Sequence, residues 1–134
     1  MADNVMRLEV TTPERIFYEG DVRMVELTTT EGEVGIYPKH IPMTMILAPG
    51  ILTITEGDGN KKEAALMKGF LEITEDSMSI LAEVAEWPGE INLERAQKAA
   101  ERAKRRLAAK DATIDFNRAE TALKRALVRE ELKK

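Results

Sequence analysis

The sequence predicts an α+β chain: an antiparallel β-sandwich or flattened barrel over residues 1–86, a join at 87–90, and an αα-hairpin over residues 91–134. Three observations carry this. Charge reverses along the chain, with 7 Lys/Arg against 16 Asp/Glu in residues 1–89 and 13 against 8 in residues 90–134. Pattern changes at the same point, from alternating β-branched and polar residues with Gly/Pro punctuation to a stretch with ten Ala and no Gly or Pro. Turn signals recur at short, near-regular spacing before the change and cease after it, as in all-β modules.

The elements follow in order. Met6, Leu8 and Val10 alternate with Arg7 and Glu9, a half-buried strand. Ile16-Phe17-Tyr18 is a short second strand after Pro13, and Val22 to Thr28 a third, with Val25 and Leu27 facing inward. Thr30 to Pro38 is turn-rich. Met43 to Leu47 and Ile51 to Thr55 are strands around a Pro49-Gly50 turn. Gly57-Asp58-Gly59-Asn60 is a hairpin tip, where glycine supplies positive φ at little cost. Glu63 to Met67, Phe70 to Thr74 and Met78 to Val84 complete the series. Trp87-Pro88-Gly89 then separates the two parts. Asn92 is a suitable N-cap for a first helix with a seam of Leu93, Ala96, Ala100, Ala103 and Leu107. Asp111 and Thr113 interrupt the pattern and can cap a second helix, with a seam of Phe116, Ala119, Leu123, Ala126 and Leu127. Small Ala residues allow close helix approach.

Bulk properties narrow the function. Residues 1–89 can bury a modest core, but a two-helix hairpin has little inside and must dock or switch between states. There is no Cys, which fits a reducing compartment. Met1-Ala2-Asp3-Asn4 is polar and acidic, unlike a signal peptide. The longest uncharged run, His40 to Thr55, is broken by Pro42, Pro49 and Gly50 and falls short of the ~20 residues a membrane helix needs. A soluble protein is expected.

Catalytic machinery is absent from the pattern. His40 is the single histidine, and it sits between Pro38 and Pro42 as a packing loop residue would. There is no nucleophile elbow, no phosphate-cradling lysine loop and no His/Cys cluster, so neither a catalytic set nor a metal site is expected. Arg95, Arg102 and Arg106 share one face of the first helix, at i, i+7 and i+11, and Arg118, Arg125 and Arg129 repeat the spacing on the second. At about 100° per residue each stripe lies more than a right angle from its own apolar seam. In a simple hairpin both stripes therefore point outward, as solvated faces usually do. Their sharper uses are docking on an acidic surface or gripping a phosphate. Interspersed Glu94, Glu101, Asp115 and Glu120, with Phe116 as sole aromatic of the tail, argue against nucleic acid as a partner.

With these residues in place, the chain resembles the epsilon subunits of bacterial F-type ATP synthases. Gly32-Glu33-Val34-Gly35-Ile36-Tyr37-Pro38-Lys39-His40-Ile41-Pro42 is similar to that family's Gly-x-x-Gly-Ile-x-Pro-x-His-x-Pro signature. Val22-x-x-Val25, Lys68-Gly69-Phe70-Leu71-Glu72 and the two-helix tail match in order. The resemblance implies a ten-stranded sandwich on the central stalk of the rotor, bound to the γ subunit and the c ring, with Glu31, Glu33 and His40 at the contact. It implies a peripheral protein on the cytoplasmic face of the bacterial membrane, without catalytic activity of its own. It further implies a mobile hairpin that, extended, reaches the α and β subunits and restrains ATP hydrolysis through Arg118, Arg125 and Arg129.

Some members bind ATP on the folded hairpin through an Ile/Leu-Asp-x-x-Arg-Ala motif. Here Ile91-Asn92-Leu93-Glu94-Arg95-Ala96 stands at that position, with Asn92 in place of the acid. Glu86, Arg102, Arg125 and Arg129 match the family's further residues. No cofactor is required; ATP, with or without Mg, is the implied regulatory ligand, held more weakly because Asn92 brings no charge. Lys39 stands where the family commonly has Gly, which is acceptable only if that backbone does not require positive φ. Two readings from other classes stand beside this one: a self-contained nucleotide-sensing module, and a nucleic-acid adaptor using the basic tail.

Overall fold

The computed structural model describes residues 4–109 and 115–133. Among the described residues the first part holds nine strands: β1 (Met6–Thr11), β2 (Ile16–Thr29), β3 (Gly32–Ile36), β4 (Met43–Leu47), β5 (Gly50–Glu56), β6 (Lys61–Leu66), β7 (Gly69–Ile73), β8 (Ser77–Ala82) and β9 (Ala85–Glu86). A single 3-10 turn (Pro88–Glu90) leads to α1 (Leu93–Ala109) and α2 (Phe116–Lys133).

The sheet runs β1-β8-β7-β4-β2-β5-β6-β9, with β3 branching from β2. Because β1 also pairs with β2, strands β1, β8, β7, β4 and β2 form a closed ring, flattened into two layers. β2 belongs to both layers. Its first half runs against β1 and its second half against β3 and β5. Alternation places Leu8, Val10, Val22, Val25, Leu52, Ile54, Leu71 and Ile80 between the layers, all at most 0% exposed. Most of the cohesion of the molecule comes from this core, at roughly 25 cal/mol per Å² of apolar surface buried.

Four expectations are corrected. The two strands read at Ile16-Tyr18 and Val22-Thr28 are one 14-residue strand, because Glu19-Gly20-Asp21 stay in register with β1 through Gly20↔Leu8 and Asp21↔Arg7. The stretch read as turn-rich contains strand β3, since Val34 and Ile36 sit opposite Leu27 and Val25 and give the glycines a pleated partner. With the short β9 added, the described residues hold nine strands, close to the ten the resemblance implies. One pairing, β1 with β8, is parallel, so the sandwich is not wholly antiparallel. And Lys39 adopts φ 66, so the position does require the left-handed region, and the lysine bears that strain.

The hairpin packs as its seams predict at the small residues: Ala96, Ala100, Ala103, Ala119 and Ala126 are buried. Leu93, Leu107 and Leu123 are half-buried, while Phe116 and Leu127 lie outside the seam, exposed. Asn92 caps α1, its Oδ1 accepting the Arg95 amide at 3.0 Å. Asp115 caps α2 through the Arg118 amide at 3.1 Å. The proposed caps Asp111 and Thr113 lie outside the described residues.

The join is more than a spacer. Trp87 stacks on Phe17 with ring centroids 4.2 Å apart and meets Tyr18 edge-on at 6.4 Å, so it packs against the sandwich core.

Candidate functional site: a cationic cleft where the hairpin meets the sandwich

α2 presents two faces. Ala119, Leu123 and Ala126 turn toward α1. One step around, Arg125, Val128, Arg129 and Leu132 follow at 3-1-3 spacing and turn toward the sandwich. Val128 and Leu132 pack with Ala65, Met67, Val84 and Ile91 in a small second apolar cluster. That cluster draws the flanking arginines inward. Arg129 Nε donates to Glu86 Oε1 at 2.6 Å, and Arg125 Nη2 to Glu83 Oε2 at 3.2 Å. Lys133 Nζ adds a bond to the Pro88 carbonyl at 2.9 Å. The outward geometry expected for this stripe is therefore wrong for Arg125 and Arg129, both half-buried. It holds for Arg118 and for Arg95, Arg102 and Arg106 on α1, which are exposed. The simple-hairpin argument failed because it gave α2 one neighbour, and α2 has two.

Between α1, the 3-10 turn and the inner face of α2 lies a cleft of about 360 Å³. Of the seven residues assigned to nucleotide binding, Glu86, Asn92, Arg95, Ala96, Arg102 and Arg129 all line it. Arg125 does not; it sits beyond Arg129 against Glu83. Three arginines and two carboxylates, Glu86 and Glu90, face the same space. Three of these charges are already matched, Arg129 and Glu86 by each other and Glu90 by Arg15. Among the described residues Arg95 and Arg102 have no ion-pair partner. The cleft thus offers two free guanidinium groups, the geometry that suits a phosphate. Asn92 is committed elsewhere, since its oxygen already caps α1.

The loop assigned to partner contact is held from within. Thr29, buried, donates from Oγ1 to the Gly32 carbonyl at 2.9 Å and accepts the Glu31 amide at 3.1 Å, which fixes the β2–β3 turn. Glu31 and Glu33 are exposed. The His40 ring binds the Ile41 carbonyl at 2.8 Å through Nδ1, so its direction is set by its own backbone. Glu33 faces a groove beside Val128 and Glu131 of α2, whereas Tyr37, Pro38 and Lys39 line a separate hollow with Arg23. The two halves of the signature look onto different surfaces.

One feature of the surface escaped the sequence reading. Ile46, Phe70 and Leu81 are paired across β4, β7 and β8 and are 64%, 47% and 45% exposed, an apolar row on an open face. The signal was present: each sits on the outward phase of its strand, where the alternation elsewhere is polar.

A β-sandwich that carries a docked helical pair, an apolar row and a cationic cleft defines a class of small α+β protein that presents several surfaces for contact. The family models agree: the β-sandwich domain of the ATP synthase Delta/Epsilon chain matches residues 5–88, and the long alpha-helix domain of the same chain matches residues 90–130. The chain belongs to the ATP synthase delta/epsilon chain family, as a non-catalytic subunit. It is 46% identical over 127 residues to the ATP synthase epsilon chain of Caldanaerobacter subterraneus subsp. tengcongensis, spanning 95% of this chain and 92% of that one. It is 44% identical to the ATP synthase epsilon chain of Shouchella clausii, spanning 96% and 95%. Among solved structures, a chain of the Euglena gracilis mitochondrial ATP synthase (OSCP/F1/c-ring) superposes with a TM-score of 0.85 at 25% identity, over 96% of this chain and 81% of that one. A chain from the Tetrahymena thermophila mitochondrial enzyme shares the fold, with a TM-score of 0.65 at 15% identity, covering 96% of both chains. Among the described residues no helix is long and apolar enough to cross a membrane.

Proposed function

We propose that this chain is the central-stalk epsilon subunit that couples proton-driven rotation to ATP synthesis and restrains ATP hydrolysis through its hairpin. The sandwich seats on the γ subunit and the c ring, with the exposed row Ile46-Phe70-Leu81 supplying apolar contact and Glu31, Glu33 and His40 the polar contact. The assembly stands at the cytoplasmic face of the bacterial membrane, to which the chain is peripheral. The observation that carries the reading is the way the hairpin is held. A few apolar side chains, two arginine–glutamate pairs and one lysine bond hold it against a sandwich whose core is complete without it. Such an interface can open without unfolding either part. Released, α2 carries Arg118, Arg125 and Arg129 toward the α and β subunits. Removing residues 92–134 from the assembled enzyme should raise hydrolysis while synthesis continues; an unchanged hydrolysis rate would refute the inhibitory role.

The cleft favours a regulatory ligand as part of the same reading. Free Arg95 and Arg102 would grip the phosphates of ATP, with Mg accompanying it, and a bound nucleotide would hold the hairpin down. Calorimetric titration of the chain with ATP should show binding that Arg95→Ala weakens at least tenfold, as the loss of one charged contact implies. Asn92→Asp should strengthen it if that position contributes directly. Equal heats for wild type and Arg95→Ala would remove this site.

A further inference from the structure

The linker between sandwich and hairpin is closed by a ring of contacts that shares only Glu90 with the cleft. Arg15 stands at the β1–β2 turn, where Thr12 and Arg15 exchange backbone bonds at 2.9 and 3.3 Å, so its base is rigid. Its Nη2 lies 2.8 Å from both carboxylate oxygens of Glu90, 75 residues away in sequence. Glu90 Oε1 also accepts the Trp87 amide at 2.9 Å. The Trp87 ring stacks on Phe17, and the Arg15 guanidinium covers the same Phe17 ring at 5.1 Å. Two residues of the linker, Trp87 and Glu90, are thus fastened to two residues at the start of β2, Arg15 and Phe17. Every link acts on the segment about which the hairpin must pivot to leave.

We propose that Arg15 and Glu90 form a hinge latch that holds the linker shut and so sets how often the hairpin leaves the sandwich. The proposal rests on the reading that the hairpin is releasable. The pair is the only part of the ring that can be removed without disturbing the core, because Phe17 and Trp87 are packed in it. Arg15 lines no part of the cleft but matches Glu90, which does, so latching is read in the absence of nucleotide. Both side chains are partly exposed, about 40% each, so the pair acts as a modest bias rather than a lock.

The test uses the full chain without nucleotide. Hydrogen exchange of α1 and α2 amides is compared for wild type, Arg15→Ala, Glu90→Gln and the double variant, with acrylamide quenching of Trp87, the only tryptophan, as a second readout. Each single variant should raise helix-amide exchange roughly two- to fivefold, the range for a surface pair, and should raise Trp87 quenching. Amides of the ring strands should not change. The double variant should exchange no faster than either single one, since both remove the same interaction. Unchanged exchange in the single variants, or effects that multiply in the double, would overturn the latch. If Arg15→Ala frees the helices but removal of residues 92–134 leaves hydrolysis unaltered, the latch stands and the inhibitory reading fails.

Discussion

Replacing Arg129 by Ala should undock the hairpin far more than replacing Arg125, although the two occupy equivalent places in one stripe. The two pairs differ in their surroundings. Arg129 and Glu86 are 28% and 27% exposed and meet at 2.6 Å beside the apolar cluster of Met67, Val128 and Leu132, whereas Glu83, the partner of Arg125, is 60% exposed and 3.2 Å away. A hydrogen bond between charged groups contributes about 1.5–3 kcal/mol when shielded. An exposed pair contributes about 0.2–1 kcal/mol. A pair about one-quarter exposed belongs near the lower end of the first range, so Arg129→Ala should cost roughly 1.5 kcal/mol. That is a shift of about tenfold in the docking equilibrium. Part of it arises from Glu86, which is left half-buried and unpaired on β9. Arg125→Ala should cost about 0.5 kcal/mol, a shift of roughly twofold. Hydrogen exchange of α2 amides in the nucleotide-free chain reads both shifts directly, and Glu86→Gln should reproduce the Arg129 result. Equal release by the two arginine variants, or full protection of α2 in Arg129→Ala, would refute the argument from burial.

Other outcomes follow from single residues. Lys39→Gly should stabilise the sandwich by about 0.5 kcal/mol, because relief of a left-handed lysine (about 1–2 kcal/mol) outweighs the extra freedom glycine gives the unfolded chain (about 0.5–1 kcal/mol); a fall in Tm would contradict the strain. A chain ending at Glu90 should melt cooperatively and roughly 5–10 °C above one ending at Glu86, since only the longer keeps the Trp87–Phe17 stack, a contribution of about 1–2 kcal/mol; equal melting points would deny Trp87 a part in the core. Phe70→Glu lies on an exposed position and should leave Tm within a few degrees, yet abolish co-purification with the γ subunit; retained co-purification would move the seat elsewhere. The Arg15 guanidinium, and next the Trp87 amide, hold the Glu90 carboxyl below the usual carboxylate range. A depressed carboxylate stabilises the fold above its unfolded pKa of about 4.3 and loses that contribution as pH falls through the folded value. Wild type should therefore melt above Glu90→Gln at pH 7 by a margin that shrinks as pH falls below the unfolded pKa of about 4.3; a margin that persists in strong acid would mean the carboxylate charge is not its source.

The fold was readable where one periodicity acts alone. Alternation in Met6-Leu8-Val10 and the alanine spacing of α1 each answer to a single neighbour, and both were placed correctly. Reading failed where two demands meet in one segment. Gly20 looked like a break because glycine usually punctuates, but the register of β1 keeps it inside β2. Val34 and Ile36 were hidden among three turn-forming residues until Leu27 and Val25 supplied a partner strand. In α2 the alanine seam was plain, while Val128 and Leu132, which face the sandwich, overlapped it and passed unnoticed. The cleft residues came from the family resemblance, since periodicity alone turned both arginine stripes outward. They lie in the segment 86–102 and at Arg129, and the inward turn of Arg129 and the turn of Arg125 toward Glu83 both depended on packing against the sandwich.

The ring of strands has a bearing on the order in which the molecule forms. β1 is made first, yet its parallel partner β8 ends at Ala82, so the ring closes only when nearly the whole sandwich is present. Contacts so distant in sequence make folding slow, and local helices form long before such a sheet does. The hairpin can nucleate early, but its seat of Ala65, Met67 and Glu86 does not exist until β6 and β9 are paired. Docking therefore has to wait for β6 and β9. No helix residue belongs to the ring, so undocking the tail would leave every pairing of the ring in place.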